Sequence, residues 1–167
     1  MRYHNITHDD MLNGEGLRVV LWVAGCKHHC EECQNPVTWN PDGGIEFDDE
    51  AKKEIFEELQ KKHVSGITFS GGDPLHPRNL QCVHDLIDEI KNKFPEKTVW
   101  IYTGYTWEQI QNNRLLMMVM EQADVLVDGK FEKEKKDVNY HWAGSTNQRI
   151  IDVQESIKKG QVVLYDN

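Results

Sequence analysis

The amino-acid sequence predicts an α/β protein, a partial (open) β/α barrel of about six mostly parallel strands, and three observations lead there. Apolar β-favouring runs alternate with stretches of helical periodicity, the layout of a parallel sheet covered by helices. The chain has 167 residues, too few for a complete eight-unit barrel of about 250. The residue types that carry chemistry cluster directly behind two of the predicted strands, where such folds place their functional loops. With no repeat, linker or low-complexity tract, residues 1–167 are expected to form a single domain.

Six strands are predicted: residues 18–24 (RVVLWVA), 66–70 (GITFS), 98–102 (TVWIY), 124–128 (DVLVD), 149–153 (RIIDV) and 161–165 (QVVLY). The first is apolar without alternation, as expected of a strand covered on both faces. Between them lie helices. From about residue 48 to 62, Ala51, Ile55 and Leu59 stack at four-residue spacing beside Phe56, with acids in the first turn where the helix dipole favours them. From about 79 to 94, Leu80, Val83, Ile87, Ile90 and Phe94 recur at helical steps until Pro95 stops the run. A third helical region covers 106–122, with a break at Asn112–Asn113.

Composition narrows the function classes. Lys+Arg 19 against Asp+Glu 28 gives a formal charge of −9, which argues against nucleic acid or an anionic membrane as partner, since phosphate-rich surfaces need positive fields. No stretch approaches the ~20 apolar residues of a membrane span. The opening MRYHNITHDD lacks the charged-then-apolar layout of a signal peptide. A cytoplasmic location is therefore expected, in which the four cysteines are ligands or reactive thiols before they are disulfides.

Right after the first predicted strand, Gly25-Cys26-Lys27-His28-His29-Cys30-Glu31-Glu32-Cys33 carries cysteines at C-x3-C-x2-C spacing. Three thiolates in so short a loop can wrap one metal centre but cannot complete four-coordination. An iron–sulfur cluster held by three cysteines keeps one iron open for a small ligand. The spacing favours that over a zinc site completed by His28, His29 or Cys82, and over unrelated structural cysteines. Cys82 fits better as a small buried hydrophobe of its helix, and neither histidine is assigned as a ligand. The second strand ends in Ser70-Gly71-Gly72-Asp73-Pro74. Paired glycines let backbone approach a ligand closely, and a carboxylate behind them can accept from an ammonium group. The same residues are also strong turn chemistry.

A C-x3-C-x2-C loop after one strand and SGGDP after the next resembles the radical S-adenosylmethionine (SAM) superfamily. Within it, the chain is similar to the glycyl-radical activases that serve anaerobic ribonucleoside-triphosphate reductase. The likeness runs nearly end to end: NGEG (13–16), CQN (33–35), TW (38–39), SGGDPLHP (70–77), YTGYTWE (102–108), VDGKF (127–131) and WAGSTNQR (142–149). It implies an open barrel of the radical SAM type, and a 4Fe–4S cluster ligated by Cys26, Cys30 and Cys33 with its open iron chelated by SAM. Gly71, Gly72 and Asp73 would hold SAM's amino group, and the backbone of Glu32, Cys33 and Gln34 would contact the adenine portion. The superfamily often has an aromatic residue where this chain has Glu32, and commonly Glu where it has Asp73.

The implied reaction is reductive cleavage of SAM to methionine and a 5′-deoxyadenosyl radical, which takes a hydrogen atom from a glycine of the large reductase subunit. The electron would come from reduced flavodoxin or ferredoxin, and no catalytic side chain is expected beyond the cluster and SAM. Activation of a different glycyl-radical enzyme is the nearest alternative, and a non-catalytic zinc-binding interaction module the alternative from another class. Asp128-Gly129-Lys130 fits equally a turn, a contact to SAM's carboxylate or, as in related activating enzymes, a monovalent-cation site. Segment 142–149 fits either an adenine-side or partner contact or an ordinary loop, and Arg18 a structural role at a strand start.

Overall fold

Alternation of side chains across the strands gives this sheet two unlike faces. The structure, a computed structural model, describes residues 1–33 and 35–165. Its strands are β1 (Arg2–Asp10), β2 (Leu17–Val23), β3 (Ile45–Glu46), β4 (Val64–Gly71), β5 (Thr98–Tyr102), β6 (Val125–Asp128) and β7 (Arg149–Asp152). They form a single sheet in the order β3-β1-β2-β4-β5-β6-β7. The middle of it, β2-β4-β5-β6, is parallel. β1 and β3 on one side and β7 on the other add antiparallel pairings. The protein is thus a mixed α/β fold on a partly parallel sheet.

Helices α1 (Asp49–Leu59), α2 (Leu80–Lys93), α3 (Trp107–Gln111) and α5 (Val153–Lys159) follow strands, and α4 (Arg114–Met120) follows α3. Val19, Leu21 and Val23 of β2, Ile67 and Phe69 of β4, Val99 and Ile101 of β5, and Leu126 of β6 share the main core with Ile55, Leu59, Ile87, Ile90 and Val119 from the helices. Each such side chain stabilises the fold by about 1.5–3 kcal/mol on burial. The intervening residues, among them Trp100, Val125, Val127 and Ile150, point to the other face. There they pack against Tyr102, Tyr140, Trp142 and Tyr165 rather than against a helix.

That second face is closed near the strand starts by Arg18. Its guanidinium is fully buried and donates to Thr68 Oγ1, Thr98 Oγ1 and the carbonyls of Glu15, Ile67 and Thr98 at 2.8–3.0 Å. Trp100 lies against it, 5.5 Å from ring centre to guanidinium carbon. All its acceptors are neutral, and burial lowers its pKa to about 10. The residue is structural, as its place at a strand start suggested.

Most predicted elements appear within two or three residues of their expected bounds. Asp48 caps α1 by accepting from the Ala51 N–H at 2.9 Å. The break at Asn112–Asn113 is real: Asn112 ends one helix and Asn113 caps the next by accepting from the Leu115 and Leu116 N–H groups. Four expectations need correction. β1 and β3 were not foreseen, because β1 exposes a polar, histidine-rich edge and a register shift between Tyr3 and Asn5 breaks its alternation. Residues 161–165 do not form a strand; they make only an isolated bridge, Leu164 to Ile151. Val153 starts α5 rather than ending a strand. The sheet therefore has seven strands of mixed direction instead of about six mostly parallel ones. Among the described residues, no helix is long and apolar enough to cross a membrane.

Candidate functional site

The carboxyl ends of β2, β4, β5 and β6 open into one cavity of about 760 Å³, within the range of small-molecule sites. Its wall includes Cys26, Cys30 and Cys33 on the loop after β2, Gly71, Gly72 and Asp73 after β4, Thr103 and Gly104 after β5, and Gly129 and Lys130 after β6. All six expected ligand and glycine-loop positions thus meet at one cavity, although the chain separates Cys33 from Gly71 widely. Glu32 does not: it is exposed, in the left-handed region at φ 56°, and is not part of the wall. Gln34 lies outside the described residues.

Close backbone approach brings the first two loops together. The Gly72 N–H donates to the Val23 carbonyl at 2.8 Å and the Asp73 N–H to the Gly25 carbonyl at 2.7 Å. A Cβ on Gly72 would meet the Gly25 and Thr38 carbonyl oxygens at 2.5 and 2.8 Å, and Gly71 holds φ 98°. Only glycine fits both demands. Asn79, ahead of α2, sends its amide to the Ala24 and Asp73 carbonyls, each at 3.0 Å, and so does not cap its helix with its side chain. Among the described residues, the Gly72 carbonyl receives no donor.

All four cysteines are free thiols of intermediate exposure. Burial pushes Cys26 up to about 11, against the N–H groups of His28 and His29 that favour its thiolate. Cys30 is likewise raised by burial and opposed by the Phe131 N–H and by Lys130. The Asn35 N–H donates to Cys33 Sγ at 3.3 Å. N–H groups aimed at sulfur are what thiolate ligands require, so a metal centre's own positive charge would complete what these donors begin. Cys82 is raised by burial too; it sits on α2, away from the cavity wall.

Neither histidine of the loop completes a ligand set. His28 Nε2 donates to Asp73 Oδ2 at 2.6 Å, and His29 stacks on Trp39 at 4.4 Å between ring centres. Among the described residues, no three of His, Cys, Asp and Glu converge tightly enough for a single metal ion. Three thiols line the same cavity as the Gly71-Gly72 loop, and thiolates are the donors an iron–sulfur cluster takes.

Sequence reasoning missed the tie between His28 and Asp73, and with it Thr103 and Gly104. The position of His28 inside the cysteine loop was the available signal, but no local pattern says that its ring turns inward. Asp128, left open between a turn and a contact, is buried and faces protein. Its carboxylate accepts from Arg149 Nη2 at 2.6 Å, from Arg149 Nε and N, and from the Trp107 N–H at 2.8 Å. In segment 142–149, Trp142 packs on Trp100 with ring centres 4.9 Å apart, and Gln148 donates to the Gly129 carbonyl at 3.0 Å.

A three-thiol wall at the open end of a partly parallel sheet defines a class, and residues 12–151 match the family described as a 4Fe-4S single cluster domain. Named relatives sharpen this. The anaerobic ribonucleoside-triphosphate reductase-activating protein of Enterobacteria phage T4 is 43% identical over 150 residues, 90% of this chain and 93% of its own. Those of Pasteurella multocida and Escherichia coli (strain K12) are each 39% identical over 152 residues, covering 90% of this chain and 96% and 97% of their own. The chain belongs to this family of activating proteins.

Proposed function

We propose that this protein is a radical SAM activase, which cleaves SAM reductively at a 4Fe–4S cluster and generates the glycyl radical on anaerobic ribonucleoside-triphosphate reductase. One observation carries the proposal: three free thiols and the Gly71-Gly72 loop line a single cavity in a chain 39–43% identical to proteins named for that activation. Cys26, Cys30 and Cys33 would hold the cluster. The Gly71-Gly72-Asp73 loop would receive SAM's amino group, with the Gly72 carbonyl, which takes no donor among the described residues, open to accept it. Of the three positions expected beside the adenine, Cys33 lies on the cavity wall, and its backbone would flank that group. When bound, the cluster and SAM together supply the one-electron cleavage that yields methionine and a hydrogen-abstracting deoxyadenosyl group.

The chain itself supplies orientation and dryness. Arg18, Trp100, Trp142 and Tyr102 form a packed floor below the cavity. The seven-stranded sheet is taken as an open barrel of the radical SAM type, in one domain spanning 1–167. Its unclosed side leaves room for a polypeptide loop of the large reductase subunit. Met11, Leu12 and Val138, 68%, 81% and 83% exposed, lie at the cavity and suit an apolar contact with such a loop. The electron would come from reduced flavodoxin or ferredoxin in the cytoplasm.

The test is anaerobic mixing of the reduced, iron-loaded protein with SAM and the reductase, followed by electron paramagnetic resonance. A protein-bound glycyl radical is expected, and it should vanish when the target glycine of the reductase is changed to alanine. SAM cleavage without a radical on the reductase, but with one on another glycyl-radical enzyme, would refute the assignment of partner.

A further inference from the structure

A carboxylate offers about four lone-pair positions, and in Asp73 the protein itself occupies them. Oδ1 accepts from the Leu75 N–H at 2.8 Å. Oδ2 accepts from the Gly104 N–H at 3.1 Å and from His28 Nε2 at 2.6 Å. The Thr103 hydroxyl lies 2.9 Å from both oxygens. The Asp73 side chain is 2% exposed and that of His28 8%. Little acceptor capacity is left for an ammonium group of a ligand.

His28 stands between Cys26 and Cys30, so its bond to Asp73 joins the cysteine loop to the glycine loop by side chains as well as by backbone. The ring is fixed from two further directions. Tyr105 meets it edge-on with centres 4.7 Å apart. Gly104 lies so close that a Cβ there would fall 2.4–2.7 Å from the ring atoms. The Nε2 atom must carry the proton, because a carboxylate flanked by N–H and O–H donors can only accept. Loops after β2, β4 and β5 therefore converge on one buried carboxylate.

We propose that His28 and Asp73 form a clasp that sets the distance between the cluster-binding thiols and the SAM-binding glycines. His28 is then a positioning residue, and Asp73 acts on SAM through the placement of the Gly71-Gly72 carbonyls rather than by a direct bond. This rests on the proposed function and refines it. A cluster and a sulfonium must sit within a narrow range of separation for electron transfer and bond cleavage to couple. Small displacements of bound groups are costly to rate in general. A loop held only by its metal could not define that separation before the metal binds.

Two variants test the clasp. His28→Leu removes the donor, whereas His28→Gln places an amide N–H near the position of Nε2. In the metal-free full-length protein, His28→Leu should speed amide exchange at residues 28–33 by roughly 10- to 150-fold, the range spanned by a lost charge-assisted hydrogen bond. In the iron-loaded protein it should weaken SAM binding by a comparable factor and reduce the change that SAM produces in the cluster's paramagnetic resonance spectrum. His28→Gln should return both to within about threefold of the parent. Exchange and SAM affinity unaltered in His28→Leu would overturn the proposal. So would faster exchange with unaltered SAM affinity, which makes His28 merely structural, or a Gln variant no better than Leu. If the parent protein bound neither iron nor SAM, the proposed function would fall, while exchange in the metal-free protein would still report on the clasp.

Discussion

Removing the guanidinium of Arg149 should unfold this protein more readily than its partly exposed position suggests. Asp128, at the end of β6, is 1% exposed, and Arg149 supplies its only cationic partner among the described residues. The pair is bidentate, Nη2 to Oδ2 at 2.6 Å and Nε to Oδ1 at 3.2 Å, and the carboxylate hydrogen bond holds the guanidinium more firmly charged than usual. In Arg149→Ala the carboxylate keeps two backbone donors, from Trp107 and residue 149, but loses its counter-charge. Breaking a buried pair on one side costs about 3–5 kcal/mol. The Arg149 side chain is 35% exposed, so water can follow the truncation, and about 2–4 kcal/mol is expected. With a urea slope of about 2 kcal/mol/M, the midpoint should fall by roughly 1–2 M. Adding Asp128→Asn should recover part of the loss, since the stranded charge is then gone. The same end of β6 carries Gly129 and Lys130 into the cavity wall, so iron-loaded Arg149→Ala should also bind SAM less tightly. A loss below about 1 kcal/mol, or strict additivity with Asp128→Asn, would refute the account of a buried charge needing its partner.

Two further outcomes are expected. Replacing Cys26, Cys30 or Cys33 by Ala should abolish loading of iron and sulfide, whereas Cys82→Ala, on α2, should leave it nearly intact; loss of the cluster in a folded Cys82→Ala protein would mean a fourth protein ligand. The Arg149 hydrogen bond holds the Glu108 carboxyl below the ordinary glutamate value. A depressed acid stabilises the fold above its unfolded value and loses that contribution as pH falls through the folded one. The effect is small because Glu108 is 59% exposed and screened, so denaturant midpoints of the parent and Glu108→Gln should differ slightly near neutrality and converge in acid, and no such difference should exist in the Arg149→Ala background.

Local pattern determined much of this protein before any coordinates. Helical periodicity in 80–93, the acids in the first turn of α1, the break at Asn112–Asn113 and the apolar runs of β2, β4, β5 and β6 depend on neighbours a few residues away along the chain. The three cysteines and the paired glycines were legible for the same reason: their spacing is short, and each group directly follows a strand. Where tertiary packing competes with local signals, the sequence was silent or misleading. β1 hides behind a register shift and a polar surface. Residues 161–165 have the composition of a strand but reach β7 at a single bridge, after Gly160 turns the chain in a left-handed conformation. The ring of His28 turning inward to Asp73, Arg149 reaching Asp128 across 21 residues, and Arg18 gathering acceptors from β4 and β5 are long-range choices. A polar side chain in a strand or loop meets solvent or a buried partner according to which distant backbone arrives beside it. Only the folded sheet, by bringing the ends of β2, β4, β5 and β6 together, decides which.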